Sequence, residues 1–184
     1  MVYVLLAEGF ELVEAMAPVD ILRRAKVEVK TVGVTGPRVK ASNGVEVTAD
    51  LEIAGAVTEG LDCVVLPGGL PGALNLEQSP EVQALVDFCA QNGRLLGAIC
   101  AAPSILAHKG LLKGREATAF PSFQKDVEQG GGRLSKSYVV QDGPFITARG
   151  MGVSTQFGLK LAGALTTPET AAEIQASIQS EAKT

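Results

Sequence analysis

The sequence predicts an α/β fold whose mostly parallel sheet is covered on both faces. Short Val/Leu/Ile runs alternate with segments of helical period. The strongest runs are continuously apolar, as strands buried on two sides require. Hydrophobic residues make up 46% of the 184-residue chain and aromatic residues only 4%, so the core must be built from Val, Leu, Ile and Ala. A chain of this length suggests one domain spanning 1–184.

Val2–Leu6 reads as the first buried strand. Leu12, Met16, Val19 and Leu22 then recur at helical spacing, although Pro18 should kink that helix or limit it to two turns. Val27–Val34 and Cys63–Leu66 are the next strong strands, and the more alternating Val45–Thr48 between them suits an edge or hairpin strand. Ser79-Pro80-Glu81 supplies an N-cap, a proline at the first helical position and an early acid, followed by a buried stripe of Val82, Leu85, Val86 and Cys89. The strand Arg94–Ile99 runs straight into a helical pattern over 104–108. Gly130-Gly131-Gly132 marks a surface turn before the weaker edge strand Ser137–Val140, and Phe145–Ala148 is the last strong strand. Thr167-Pro168-Glu169 repeats the helix-start signal, with Ala171, Ile174 and Ile178 facing inward, and the polar residues 179–184 should fray. No internal repeat or linker interrupts this pattern.

Several function classes lose their usual signature. Sixteen Lys and Arg residues against twenty Asp and Glu give a net charge of −4 without a block of like charges, so nothing points to nucleic acid or a membrane surface. The apolar start of the chain ends at Glu8 without a basic region before it, and no run reaches the ~18 residues of a membrane span. Cys63, Cys89 and Cys100 are odd in number, widely spaced and without a CxxC pair, so neither a disulfide framework nor a zinc knuckle is indicated. A cytoplasmic location is the expectation. With His108 the only histidine, a His-rich metal site is excluded.

In open α/β sheets ligands bind beyond the carboxyl ends of the strands. That rule selects four junctions: Ala7–Glu14, Pro67–Gly72, Cys100–Pro103 and Arg149–Thr155. At the third, Cys100 sits between a strand and a helix with small neighbours Gly97, Ala98, Ala101 and Ala102, as a strained nucleophile elbow requires. A helix N-terminus there would lower the thiol pKa, making Cys100 reactive; a small buried cysteine at a strand end fits the same spacing. Cys63 and Cys89 fall in a strand and a buried helical stripe and read as inert core. His108 lies eight residues beyond Cys100, about 12 Å along a helix, so it cannot serve as that thiol's base within one subunit. It reads instead as a helix-terminal histidine near the last carbonyls.

A carboxyl group is what remains to tune the thiol. The first junction offers Glu8, Glu11 and Glu14, each also readable as a surface acid. The glycines of Leu66-Pro67-Gly68-Gly69 match no phosphate loop, but adjacent glycines expose backbone N–H groups of the kind an oxyanion site needs; a tight turn explains them equally well. The fourth junction has Gly150-x-Gly152 but Thr155 where a third glycine should stand, so a dinucleotide fingerprint is rejected.

Together these junctions resemble the ThiJ/PfpI superfamily and, within it, the DJ-one (parkinsonism-associated deglycase) branch with its bacterial YajL-like members. The resemblance spans nearly the whole chain. It rests on Glu11-Leu12-Val13-Glu14 with Pro18-Val19-Asp20 and Arg23-Arg24-Ala25; on Val64-Val65-Leu66-Pro67-Gly68-Gly69 with Gly72-Ala73-Leu74-Asn75-Leu76; and on Ala98-Ile99-Cys100-Ala101-Ala102-Pro103 with Thr147-Ala148-Arg149-Gly150. It implies a flavodoxin-like three-layer sandwich, a homodimer, Cys100 as nucleophile and a protonated Glu14 hydrogen-bonding its sulfur. Gly69 and Ala101 would supply oxyanion N–H groups, and Arg24 would lie near the subunit contact, close to the partner's pocket. The sequence departs from the family in carrying Phe120 where many members have a histidine, and Met151 in place of the usual proline after Arg-Gly.

The resemblance implies a stress-protective cysteine protein acting on reactive carbonyls: a deglycase or glyoxalase needing no cofactor or metal, with small carbonyls or glycated protein and nucleotide adducts as partners. The alternative is a redox-sensing holdase chaperone switched by oxidation of Cys100. A cysteine peptidase or amidotransferase ranks last, because it needs a histidine base within reach.

Overall fold

A computed structural model describes residues 1–180; of the expected frayed end, 181–184 lie outside the described residues. The elements run β1 (Val2–Leu6), α1 (Leu12–Arg24), β2 (Val29–Gly33), β3 (Arg38–Lys40), β4 (Glu46–Thr48), β5 (Leu51–Glu52), β6 (Cys63–Leu66), α2 (Gly72–Gln78), α3 (Pro80–Gln91), β7 (Leu95–Ile99), α4 (Pro103–His108), β8 (Glu116–Ala117), α5 (Gln124–Gln129), β9 (Arg133–Leu134), β10 (Val139–Asp142), β11 (Phe145–Ala148), α6 (Ser154–Leu165) and α7 (Pro168–Ser177). Seven strands form the central sheet in the order β10-β11-β7-β6-β1-β2-β5. Only the β10–β11 pair is antiparallel. Strand β6 holds the centre and β1 lies between it and β2, with Val2 opposite both Val29 and Cys63.

The period-2 rule sorts side chains between two cores. Tyr3 and Leu5 of β1 join one apolar cluster with α2, α3, α4 and α5, while Val2, Val4 and Leu6 join the other with α1, α6 and α7. The result is the three-layer, flavodoxin-like sandwich that the sequence predicts.

The strong strands fall close to their expected ranges, trimmed where the chain turns. Residues 27 and 28 precede β2 because Lys26 adopts a left-handed φ of 58° that reverses the chain. The weak segment around Val45 pairs with β3 in a hairpin outside the main sheet, and the other weak strand sits two residues later than expected, at the sheet's edge. Pro18 does not limit α1, which runs thirteen residues through it. The bond that Pro18 cannot make is the one to the carbonyl of Glu14, four residues back. Packing compensates: a Cβ at Gly158 would lie 3.1 Å from Pro18 Cα, so α6 approaches α1 closely at that point.

Gly97 on β7 permits a similar approach, since a Cβ there would meet Phe157 and Leu161 at 3.1 Å. Phe157 is fully buried. Truncating it leaves a cavity between α6 and the strand that carries the reactive turn, so Phe157→Ala should cost about 3–5 kcal/mol. Urea denaturation checks this; a loss below about 1 kcal/mol would contradict the tight α6–β7 contact.

Candidate active site

The carboxyl ends of β1, β6, β7 and β11 converge, and each contributes one part of a pocket. After β1, Glu11 caps α1: its carboxylate accepts a 2.7 Å hydrogen bond from the Glu14 backbone N–H. The cap sets the first turn so that the Glu14 side chain points inward, 1% exposed. Glu8 remains outside, accepting from the Lys40 N–H at 3.1 Å. Of the three acids at this junction, one is a surface acid, one a cap and one buried.

After β6, the chain passes over the Glu14 carboxylate. The Gly68 N–H donates to Glu14 Oε2 at 2.9 Å. A Cβ at Gly68 would lie 2.6 Å from both Glu14 Oε2 and Cys100 Cβ, so only glycine fits between these two side chains. Gly69 has a left-handed φ of 86°, and a Cβ there would strike the Glu11 N at 2.4 Å. The two glycines thus serve different ends: Gly68 makes room and Gly69 makes the turn.

After β7, Cys100 adopts φ 65°, a conformation that costs a non-glycine residue on the order of 1–3 kcal/mol. Two backbone bonds hold it there: its N–H donates to the Ala148 carbonyl and its carbonyl accepts from the Phe120 N–H, both at 2.9 Å. The Cys100 thiol shares a hydrogen bond with Glu14 and receives the Gly69 and Ala101 N–H groups. After β11, the Met151 N–H completes the shell by donating to Glu14.

The electrostatics follow from burial. Desolvation raises Glu14 from 4.5 to about 7, aided by the Glu11 charge and opposed by hydrogen bonds from Cys100, Gly68 and Met151. Desolvation and then the Glu14 carboxylate push the Cys100 thiol up to about 12, against the lowering effect of the Gly69 and Ala101 N–H groups. The expected lowering by a helix N-terminus is therefore not what the pocket provides. Helix α4 starts only at Pro103 and spans six residues, so its dipole does not offset the carboxylate. Glu14 and Cys100 instead titrate as a pair, whose first proton leaves near pH 7 and whose second leaves far above it. Above pH 7 the pair holds one proton, mostly on the sulfur, and whenever Glu14 carries it instead the carboxyl donates to a thiolate.

The remaining candidates separate. Arg24 stands at the far end of α1 from Glu14, about 15 Å along the helix, paired with Asp20 at 2.8 Å and outside this pocket. Phe120 lies half-exposed beside the site, its N–H on the Cys100 carbonyl and its ring against Gly150. Cys63 and Cys89 are fully buried. His108 does not meet the last helix carbonyls as expected. Its Nδ1 lies 2.5 Å from Glu77 of α2 and its Nε2 3.7 Å from Asp126 of α5, and the Glu77 hydrogen bond, with both charges, raises its pKa. Sequence reasoning missed Gly68 as the spacer and Glu11 as the cap. An acid three residues before another at a helix start was the available signal for the second.

Residues 1–164 match the sequence profile of the DJ-1/PfpI family. Protein dj-1beta of Drosophila melanogaster is 37% identical over 172 residues, covering 93% of this chain and 92% of that protein. The glutathione-independent glyoxalase DJR-1.2 of Caenorhabditis elegans is 30% identical over 162 residues, covering 88% and 86%. Among solved structures, oxidized Toxoplasma gondii DJ-1 superposes with a TM-score of 0.90 at 34% identity, covering 97% of each chain.

Burying Glu14 has a signed consequence for stability. Because its folded pKa of about 7 exceeds 4.5, its contribution is fully present below pH 4.5 and is lost as pH rises through 7. The difference corresponds to on the order of 3 kcal/mol. Wild type should lose about that much stability relative to Glu14→Gln between about pH 4 and about pH 8 in parallel urea titrations. A difference that stays constant with pH would contradict a buried, proton-holding Glu14.

Proposed function

The chain belongs to the DJ-1/PfpI family, and on that premise we propose that it is a stress-protective cysteine enzyme converting 2-oxoaldehydes, or their early adducts on proteins and nucleotides, to 2-hydroxy acids. The observation that carries this reading is the buried Glu14 carboxyl hydrogen-bonded to the sulfur of a strained Cys100. The glyoxalase name of the Caenorhabditis elegans relative also supports it.

The proton-sharing pair suits each step. Cys100 sulfur adds to the aldehyde carbon, forming a C–S bond, and the aldehyde oxygen takes up a proton to give a hemithioacetal; in an early adduct the C–N bond at that carbon breaks as the C–S bond forms, and the amine leaves with a proton. Glu14, now a carboxylate, removes the hydrogen of that carbon as a proton and returns it to the adjacent carbon, while the hydroxyl proton passes from the first oxygen to the second. The first carbon is thereby oxidised and the second reduced, so no external electron carrier is needed. Water then cleaves the resulting thioester: the C–S bond breaks, the sulfur recovers its proton and the hydroxy acid leaves. The Gly69 and Ala101 N–H groups, already directed at the sulfur, would steady negative oxygen on the attached carbon. No histidine enters these steps, consistent with Phe120 beside the site and with His108 engaged by Glu77.

A second reading has its own support. A sulfur that receives two backbone N–H groups beside a carboxyl able to carry a proton is suited to hold the oxygens of a sulfinate, and the Toxoplasma gondii relative is described as oxidized. Two equivalents of peroxide would supply those oxygens and be reduced to water, so Cys100 would also serve as a redox sensor.

Lactate formation from methylglyoxal tests the first reading. Cys100→Ser should abolish it and Glu14→Gln should lower it by about 10²–10⁴-fold. Equal rates in all three proteins would remove both residues from the mechanism. Mass spectrometry after mild peroxide tests the second: a two-oxygen gain confined to Cys100 is expected, whereas equal labelling of Cys63 and Cys89 would contradict a specially tuned thiol.

A further inference from the structure

A cleft of about 540 Å³ opens beside the reactive pair, lined by Phe120, Tyr138, Arg149, Met151 and Val153 among others. Its walls are fixed to the two reactive residues by backbone bonds. The Phe120 N–H donates to the Cys100 carbonyl at 2.9 Å, and the Met151 N–H donates to the Glu14 carboxyl. The cleft therefore adjoins the reactive pocket through the backbones of Phe120 and Met151, although neither Cys100 nor Glu14 lines it.

The lining is apolar in an unusual way. Phe120, Tyr138 and Met151 are 46%, 58% and 53% exposed, three of the eight exposed large hydrophobic side chains among the described residues, and all three face this one cleft. Clustered exposed apolar groups mark a contact surface, a ligand groove or a protein interface alike. The Arg149 guanidinium carbon lies over the Tyr138 ring, 4.7 Å from its centroid, so one wall is a cation–aromatic pair. The Phe120 ring rests against Gly150, where a Cβ would already stand at 3.4 Å.

Methylglyoxal displaces only a few water volumes of about 30 Å³ each, and its single methyl group would leave most of such a cleft wet. We propose that this cleft is the subsite for the substrate's side group, and that the protein acts preferentially on 2-oxoaldehydes bearing an aryl or similarly bulky apolar group. The proposal rests on the reaction proposed above and adds the substrate class. Phe120, Met151 and Tyr138 are its specificity determinants, with Phe120 and Met151 forming the wall nearest the reacting atoms. Burying added apolar carbons in a hydrophobic pocket is worth on the order of 10-fold or more.

The test compares phenylglyoxal with methylglyoxal, and separately the binding of the products mandelate and lactate by calorimetry, which needs no turnover. Wild type should show kcat/KM at least about 10-fold higher for phenylglyoxal, chiefly through KM, and should bind mandelate at least about 10-fold more tightly than lactate. Phe120→Ala and Met151→Ala should each lower both ratios by several-fold, and Phe120→Tyr, which keeps the ring, should restore them. If neither aldehyde is turned over but mandelate retains its Phe120-dependent advantage, the reaction is wrong and the subsite stands. If methylglyoxal is turned over as well as phenylglyoxal, or mandelate binds no better than lactate, the subsite is overturned and the reaction stands.

Discussion

The hydrogen bond between the buried Glu14 carboxyl and the Cys100 sulfur is the constraint around which the other parts of the pocket are arranged. Two side chains that each prefer water in their charged forms are brought together at the carboxyl edge of a sheet, with Gly68 as the only residue that fits between them. Each surrounding feature keeps that contact in place. The Glu11 cap starts α1 so that Glu14 turns inward, and two backbone bonds hold Cys100 at its left-handed φ. Gly68 and Met151 N–H groups meet the carboxyl, while Gly69 and Ala101 N–H groups meet the sulfur.

This arrangement gives up stability for chemistry. An acid that ionises only near pH 7 and a cysteine in a strained conformation both weaken the folded state. The two-sided apolar core offsets them, with β1 contributing alternate side chains to both clusters and α6 closing over Gly97 through Phe157. In return, the pair can hold and move a single proton at neutral pH without a histidine, which is what the chain's scarcity of bases requires.

Much of this was legible in the sequence. Continuous Val/Leu/Ile runs identified the central strands because burial on both faces leaves no alternation to blur them, and the Ser79-Pro80 and Thr167-Pro168 caps marked α3 and α7. Cys100 at a strand-to-helix turn among small residues could be read from local spacing. Its pairing with Glu14 could not, since that contact joins residues far apart in sequence through Gly68 and came only from the family resemblance. Short elements such as α2 and α5 escaped because six or seven residues carry too little periodicity to register. The continuation of α1 through Pro18 depends on close packing against Gly158, which no local pattern encodes. The thiol's surroundings were misjudged for a related reason: the carboxylate and burial that raise it come from tertiary contacts, whereas the helix dipole was inferred from local order.

The shared proton is most directly tested by the pH dependence of Cys100 alkylation with iodoacetamide, followed in wild type and in Glu14→Gln. If the pair holds one proton around neutrality, the wild-type rate should rise through an inflection near pH 7, where Glu14 titrates, and the variant should lack that inflection. A single inflection near the ordinary thiol pKa of about 8.5, identical in both proteins, would contradict a thiol governed by Glu14.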